Sequence, residues 1–230
     1  MTASAIGAVL FDLDGTLLDT APDMIVCLNQ LRAEQGQSAL PYDLARTQVS
    51  HGSKGLVQLA FPQLDGEAFE ALRNRFLELY NARLAVDTCL FDGCEQLLTA
   101  LETRQLPWGI VTNKPGFLAT PLLATLGLDV RAGCVVAGDT LPQRKPHPAP
   151  LLHAATQLNT APERCLYVGD AQRDVQSARS AGMPVLVAAY GYLGPDDDTY
   201  SWQPDGHIQS PLDVLAWLDG SRHPHGSSPA

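Results

Sequence analysis

The sequence carries little of the positive charge that would hold an anionic polymer or a lipid surface. Its formal net charge is −10, because 25 acidic residues outnumber 15 basic ones. Non-specific binding to nucleic acid or to an anionic membrane needs basic patches, so we expect neither partner. A site for a phosphate group must therefore be made locally, by a cation, by lysine side chains and by backbone N–H groups.

Paired cysteines and long apolar runs are also lacking. No uninterrupted apolar stretch approaches the ~18 residues that a membrane-spanning helix needs. The five cysteines are scattered, odd in number and form no C-x-x-C pair. We interpret them as reduced, mostly buried thiols of a cytoplasmic protein, and not as a disulfide framework or a zinc site. The first residues show no basic region followed by a long apolar one, which predicts no signal peptide.

Short apolar runs that alternate with helical patterns dominate the rest of the chain. With 230 residues, 45% of them hydrophobic, the chain is long enough for one large domain or for one that carries an insert. The alternation predicts an α/β fold with a Rossmann-like parallel sheet. Strands are predicted at residues 6–11, 107–111, 134–137, 165–168, 184–188 and 206–209.

The stretch between the first strand and residue 89 shows only helical patterns. We therefore predict a core of residues 1–18 and 89–220, an inserted all-helical cap of residues 19–88 and a disordered tail of residues 221–230. Thr20 and Asp23 have the spacing of a capping box at the start of the first cap helix.

Two aspartates, Asp12 and Asp14, follow the first predicted strand. Alternate residues of a strand point the same way, so both carboxylates are predicted to address one point. They repel each other unless a cation or a shared proton lies between them, and Mg²⁺ is a cation that prefers oxygen ligands. Our hypothesis is metal-assisted chemistry on an anionic substrate, with an aspartate as the attacking group.

Polar side chains also follow three other predicted strands. In open α/β sheets the carboxyl ends of the strands meet at one edge, where ligands bind. Each of these residues alone has an ordinary explanation as a helix cap, a strand end or a solvated lysine. Their convergence on one edge predicts a site. These residues are Thr112, Asn113, Lys145, Asp170 and Asp174.

Four short motifs carry a resemblance to a known family. They are DLDGT at residues 12–16, VTN at 111–113, KP at 145–146 and GDAQRD at 169–174. With these four motifs, the chain resembles the haloacid-dehalogenase (HAD) superfamily of hydrolases. The resemblance covers nearly the whole chain except the tail. The helical insert is similar to the cap of the phosphoglycolate-phosphatase-like subfamily.

The resemblance implies a role for each motif residue. Asp12 would attack phosphorus, and Asp14 would act as general acid and base. Mg²⁺ would be held by Asp12, by the backbone carbonyl of Asp14 and by Asp170, with Asp174 as a ligand or behind one. Thr112 and the N–H of Asn113 would hold phosphoryl oxygens, and Lys145 would neutralise Asp12 and the phosphoryl group.

A polar, glycine-bearing segment of the cap, residues 46–54, is the candidate for the substrate-facing part. It is predicted to be a turn that contacts a carboxylate or sugar hydroxyls, and Gly52 would let it approach the substrate closely. A solvated loop remains the alternative for each of its residues. The candidate contacts are Arg46, His51, Gly52, Ser53 and Lys54.

The predicted function is that of a Mg²⁺-dependent phosphatase that acts on a small phosphorylated metabolite through an aspartyl phosphate. The resemblance implies N-acetylmuramic acid 6-phosphate, a compound of peptidoglycan recycling, or 2-phosphoglycolate as the substrate. Residues 49–52, 69–80 and 108–115 favour the former. A phosphosugar mutase and a non-catalytic regulator of the same fold are the alternatives, and both a monomer and a homodimer stay open.

Overall fold

The computed structural model describes residues 6–220, which form a parallel sheet flanked by helices and a helical cap. The strands are β1 (Ala8–Phe11), β2 (Leu18–Asp19), β3 (Cys89–Leu90), β4 (Trp108–Val111), β5 (Cys134–Val136), β6 (Cys165–Gly169), β7 (Val185–Ala188) and β8 (Gly206–Ile208). The helices are α1 (Ala21–Glu34), α2 (Tyr42–Arg46), α3 (Gly52–Ala60), α4 (Gly66–Ala82), α5 (Cys94–Thr103), α6 (Gly116–Thr125), α7 (Ala149–Gln157), α8 (Gln172–Ala181) and α9 (Asp213–Leu218).

The main sheet has the strand order β5-β4-β1-β6-β7-β8, and every neighbouring pair is parallel. Strand β1 lies at the centre, where Val9 is paired with Trp108 of β4 and with Leu166 of β6. The predicted α/β fold is confirmed. Parallel pairing places the carboxyl ends of β5, β4, β1 and β6 along one edge, and the predicted site residues of the core follow these ends.

Both faces of the sheet are buried, as expected for parallel strands. Side chains alternate along β1, so Val9 and Phe11 belong to one apolar cluster and Ala8 and Leu10 to the other. The first cluster includes α5, α6 and α9, and the second includes α7 and α8. The inner strands β1, β4, β6 and β7 are therefore buried along their whole length, which makes them recognisable in the sequence.

The cap has its own apolar core, formed by α1, α3 and α4 and centred on side chains such as Phe76 and Tyr80. Leu118 of α6 and Tyr192 join this cluster from the core side. A two-stranded antiparallel ribbon, which the sequence did not predict, joins the two parts by pairing Leu18 with Leu90 and Asp19 with Cys89. The division at residues 19 and 88 stays our interpretation, and the predicted tail lies outside the described residues.

The predicted capping box at the start of α1 is wrong. The Thr20 hydroxyl donates to Asp14 Oδ1 at 2.7 Å and accepts no N–H group of the helix. The fully buried Asp23 carboxylate accepts the N–H groups of Val86, Asp87 and Thr88 and the Thr88 hydroxyl. Asp23 therefore fixes the segment through which the chain returns from the cap to the core.

We expect Asp23→Ala to lower the free energy of unfolding by about 3 kcal/mol, because it leaves buried backbone donors without an acceptor. Urea unfolding followed by circular dichroism measures this change. The matched control is Asp43→Ala in the first turn of α2, an exposed position where the expected change is about 0.5 kcal/mol or less. Equal losses in the two variants would contradict the anchoring role of Asp23.

Within residues 6–220, no helix combines the length and the apolar character that crossing a bilayer requires.

Candidate active site

A cavity of about 330 Å³ lies between the carboxyl edge of the sheet and the cap. Core motifs and cap helices both contribute to its wall. The residues that line it are Asp12, Asp14, Met24, Val49, Ser50, His51, Gly52, Ser53, Lys54, Phe76, Leu77, Tyr80, Thr112, Asn113, Lys114, Pro115, Leu118, Arg144 and Arg173. The cavity is thus a single space in which residues far apart in the chain meet.

Asp12 has two carboxylate oxygens in different surroundings. Its Oδ1 lies 2.9 Å from Lys145 Nζ and accepts the N–H of Leu13 at 2.7 Å. Its Oδ2 lies 3.7 Å from Arg173 Nη2, which is too far for a hydrogen bond. Burial raises the pKa of Asp12, and the charge of Lys145 opposes that shift. One oxygen is therefore held in place, and the other is left for reaction.

Lys145 is fully engaged by the core. Besides Asp12, its Nζ lies 2.9 Å from Asp174 Oδ1, 2.8 Å from the carbonyl of Val111 and 2.7 Å from the hydroxyl of Tyr167. The side chain of Asn113 holds the Lys145 backbone by donating to its carbonyl at 2.8 Å and accepting its N–H at 3.0 Å. Asn113 thus positions the lysine through its side chain, a task that the sequence did not reveal.

Asp12 and Asp14 both line the cavity, but alternation along one strand is not what brings them there. Strand β1 ends at Phe11, and a tight turn follows in which Gly15 has φ +83°, so strand alternation does not extend to Asp14. The Asp14 Oδ1 atom accepts the Thr20 hydroxyl and lies 2.9 Å from Lys114 Nζ. A side chain at residue 15 would meet Asp170 Oδ2 at 2.1 Å, which explains the glycine.

Lys114 is a site residue that the sequence analysis missed. Its buried Nζ bridges Asp14 of the core and Tyr80 of the cap, donating to the Tyr80 hydroxyl at 3.0 Å. Burial acts to lower the pKa of Lys114, but Asp14 and Tyr80 outweigh it and the net pKa is raised. Thr112, also buried, accepts the Lys114 N–H through its hydroxyl at 3.1 Å. The Lys114 ammonium group is therefore fixed beside Asp14.

Three carboxylates form a candidate cation site. Asp12, Asp170 and Asp174 each offer one oxygen, and these oxygens lie within 4.8 Å of one another. Asp170 Oδ2 accepts the Ser50 hydroxyl at 2.6 Å and the Tyr192 N–H at 3.0 Å. Its Oδ1 is buried without a hydrogen-bond partner among residues 6–220. The unpaired oxygen beside two carboxylates fits a hard divalent cation.

The pKa values of two acids in this cluster shift in opposite directions. Burial raises the pKa of Asp170 to about 7, and the nearby charges of Asp12 and Asp174 add to the shift. Burial also acts against ionisation of Asp174, but Lys145 and Arg173 outweigh it and its pKa is lowered. Asp174 therefore stays ionised, while Asp170 is the acid that a bound cation would ionise. The Asp14 side chain is turned towards Lys114 and is not one of the three carboxylates of the candidate cation site. The predicted contact of Asp14 with a divalent cation is therefore that of its backbone carbonyl.

The cap residues 51–54 line the cavity as predicted, but segment 46–54 is not one turn. Helix α2 ends at Arg46, a 3-10 turn spans Val49–His51, and α3 begins at Gly52. Gly52 has φ +64° and ψ −158°, a combination that is essentially restricted to glycine. No protein atom would meet a side chain at this position, so the backbone conformation accounts for the glycine, and its close approach to a substrate stays a prediction.

Arg46 lies outside the cavity and does not match its predicted role as a substrate contact. Its guanidinium donates to the carbonyl groups of Gly191 at 2.9 Å and Tyr190 at 3.2 Å, and it lies over the Tyr192 ring at 4.9 Å. Arg46 thus attaches the cap to the loop that contains Tyr190 and Gly191, and Ser50 attaches it to Asp170 of the candidate cation site.

The sequence and the fold were compared with known proteins. A family model described as haloacid dehalogenase-like hydrolase matches residues 9–188. This chain belongs to that family. It is 48% identical over 204 residues to a phosphoglycolate phosphatase of Xanthomonas campestris pv. campestris (strain 8004), covering 89% of this chain and 92% of the relative.

Two further similarities lead in the same direction. The chain is 42% identical over 217 residues to an N-acetylmuramic acid 6-phosphate phosphatase of Pseudomonas putida (strain KT2440), covering 93% of this chain and 96% of the relative. A crystal structure of a predicted phosphoglycolate phosphatase from Haemophilus somnus 129PT has a TM-score of 0.83 at 28% identity, covering 93% and 98% of the two chains. The predicted family and its fold with a helical cap are confirmed.

Proposed function

We propose that this HAD hydrolase is a Mg²⁺-dependent phosphatase that cleaves a small phosphorylated metabolite through an aspartyl phosphate on Asp12. The predicted enzyme class, a phosphoric monoester hydrolase, is confirmed by relatives at 41–48% identity that are named phosphatases. The observation that carries the mechanism is the asymmetry of Asp12, whose Oδ1 is held by Lys145 while Oδ2 is left for reaction in the cavity wall.

The proposed reaction has two steps, in each of which one bond to phosphorus forms and one breaks. Asp12 Oδ2 attacks phosphorus, the bond from phosphorus to the ester oxygen breaks, and Asp14 gives that oxygen a proton. A water molecule then attacks the aspartyl phosphate, Asp14 takes its proton, and the bond between Asp12 and phosphorus breaks. Thr112 and the N–H of Asn113 hold phosphoryl oxygens throughout. Lys145 keeps Asp12 Oδ1 in place and reduces the repulsion between two anions.

The cation would be held by Asp12 and Asp170, with the backbone carbonyl of Asp14 and the Asp174 carboxylate as further oxygen donors. When bound, Mg²⁺ would supply positive charge to the phosphoryl oxygens and so lower the barrier to attack by an anion. The unpaired Asp170 Oδ1 supports this assignment. A cytoplasmic location and the choice between monomer and homodimer remain predictions from the sequence.

Two substrates, N-acetylmuramic acid 6-phosphate and 2-phosphoglycolate, are candidates. Identity over the whole chain favours 2-phosphoglycolate, because the relative from Xanthomonas is more similar than the one from Pseudomonas. The cavity supports the larger compound. Beyond the motif residues it has an apolar wall that includes Val49, Phe76 and Leu77, which suits a sugar ring with an acetyl group, and Lys54 also lines it. We therefore propose N-acetylmuramic acid 6-phosphate.

The test is kcat/KM with Mg²⁺ for the two compounds, with N-acetylglucosamine 6-phosphate as a control that lacks the lactyl carboxylate. We expect the muramic compound to exceed 2-phosphoglycolate by about tenfold or more, because it fills the apolar wall. The reverse order would assign 2-phosphoglycolate. Release of inorganic phosphate without a bisphosphate primer distinguishes the phosphatase from a phosphosugar mutase.

A further inference from the structure

Arg173 is a half-buried cation whose buried Nε has no hydrogen-bond partner among the described residues. It lies in the first turn of α8 and lines the cavity. Its Nη2 stays 3.7 Å from Asp12 Oδ2. A guanidinium carries five N–H donors in a planar fork, and leaving such donors unpaired in a buried site is unfavourable. The arrangement indicates that an acceptor joins Arg173 during the reaction.

The two buried lysines of the site are already engaged. Lys145 Nζ has four oxygen partners at 2.7–2.9 Å, but an ammonium group has only three N–H donors. Lys114 Nζ is shared between Asp14 and Tyr80. Lys145 cannot hydrogen-bond a phosphoryl group without giving up a partner that it has in the structure, and Lys114 has at most one N–H left for such a bond. Arg173 can do so without losing any hydrogen bond.

The position of Arg173 is also suitable. Asp12 Oδ2 is the oxygen left for attack, and the cationic group that lies near it, at 3.7 Å, is Nη2 of Arg173. A phosphorus atom bonded to Oδ2 carries three further oxygens, and those directed at α8 come within reach of the fork. On the cap side, His51 lines the same cavity as Arg173, and the charge of Arg173 adds to the burial that lowers the pKa of His51.

The charges of the site point the same way. Four carboxylates, those of Asp12, Asp14, Asp170 and Asp174, lie beside three cations, Lys114, Lys145 and Arg173. Two further cations, Lys54 and Arg144, line the cavity. A divalent cation and a dianionic phosphoryl group together add no net charge. Without Arg173 the loaded site would be more negative by one unit at the place where an anion must approach another anion.

We infer that Arg173 is a catalytic residue of this enzyme, and that its guanidinium binds two oxygens of the phosphoryl group while that group passes to and from Asp12. The inference rests on the proposed phosphatase function. It divides the work between two cations: Lys145 holds the attacking carboxylate, and Arg173 binds the group under attack. The fork suits this task because it donates two parallel hydrogen bonds to phosphate oxygens.

The test compares Arg173→Gln and Arg173→Lys with Arg179→Gln. Arg179 lies on the same helix, but it is exposed and pairs with Asp205. We expect Arg173→Gln to lower kcat/KM about 10³-fold and to weaken product inhibition by inorganic phosphate at least about tenfold. Arg173→Lys should recover part of kcat/KM, because it restores charge without the fork. Arg179→Gln should match the wild type.

Two further measurements separate binding from a structural role. In Arg173→Ala, added guanidinium chloride should raise kcat, while sodium chloride at equal concentration should not. Unchanged inhibition by phosphate in Arg173→Gln would overturn the inference, whatever its effect on stability. Isothermal calorimetry with inorganic phosphate and Mg²⁺ tests phosphate binding by Arg173 independently of turnover. A wild type that binds phosphate but hydrolyses no phosphomonoester would refute the proposed function, and with it the catalytic role, whereas equal phosphate binding by the wild type and Arg173→Gln would refute the phosphate contact itself.

Discussion

Replacing Asp12 with asparagine is expected to lower kcat by at least about 10⁴-fold while the protein stays folded. The amide is not a nucleophile, so no aspartyl phosphate forms. Its oxygen still accepts the N–H of Leu13 and the Lys145 ammonium, and Lys145 keeps its contact with Asp174. Because burial disfavours the Asp12 carboxylate, the free energy of unfolding should change by about 1 kcal/mol or less.

Release of phosphate in single-turnover experiments measures the first effect, and urea unfolding measures the second. Asp129→Asn, an exposed substitution outside the cavity, is the control and should keep wild-type turnover. If Asp12→Asn kept more than about 1% of the wild-type turnover, another group would have to be the nucleophile. Denaturation with ³²P-labelled substrate should trap label on the wild type and none on the variant.

The second large effect is expected for Asp170→Asn, which should stabilise the cation-free protein and inactivate the enzyme. In the folded protein the pKa of Asp170 is about 7, against an ordinary value of 3.8. Between these values the folded state keeps a proton that the unfolded state has lost. Wild-type stability therefore falls as pH rises through this window, and the asparagine variant escapes that loss.

In the presence of EDTA, the variant should exceed the wild type in free energy of unfolding by about 2–4 kcal/mol at about pH 8, and by little at about pH 4. Adding Mg²⁺ should raise the melting temperature of the wild type and not that of the variant, because a ligand that binds only the folded state stabilises it. Turnover should fall about 10³-fold. A difference that does not depend on pH would show that Asp170 is ionised in the folded state.

Sequence patterns were sufficient for the sheet and for the residues at the ends of its strands. A buried parallel strand is apolar along its length, and the polar residue that follows it marks the edge where ligands bind. Asp12, Thr112, Lys145 and Asp170 could be placed together for this reason. Asp14 shows the limit of the argument, because it lines the cavity from a tight turn after β1 and not through alternation along the strand.

Contacts between the cap and the core could not be predicted from local patterns. Lys114 lies 100 positions from its partner Asp14, and Ser50 lies 120 positions from Asp170. Polar composition marked segment 46–54 as functional, but it could not tell which cation faces the cavity. The direction of each side chain depends on where α2 ends and how the 3-10 turn changes the course of the chain. In the structure, Arg46 points to the carbonyl groups of Tyr190 and Gly191 and not into the cavity.

The ribbon of β2 and β3 has a consequence for how such an enzyme can evolve. The two segments that connect core and cap, β2 and β3, lie side by side and are hydrogen-bonded to each other. The whole insert is therefore joined to the core in the same way as the loop of a β-hairpin. Paired strands are about 4.8 Å apart, a gap that a two-residue turn can close. An insert can therefore be exchanged, lengthened or lost without re-threading the sheet, which lets substrate choice diverge while the phosphoryl chemistry is inherited unchanged.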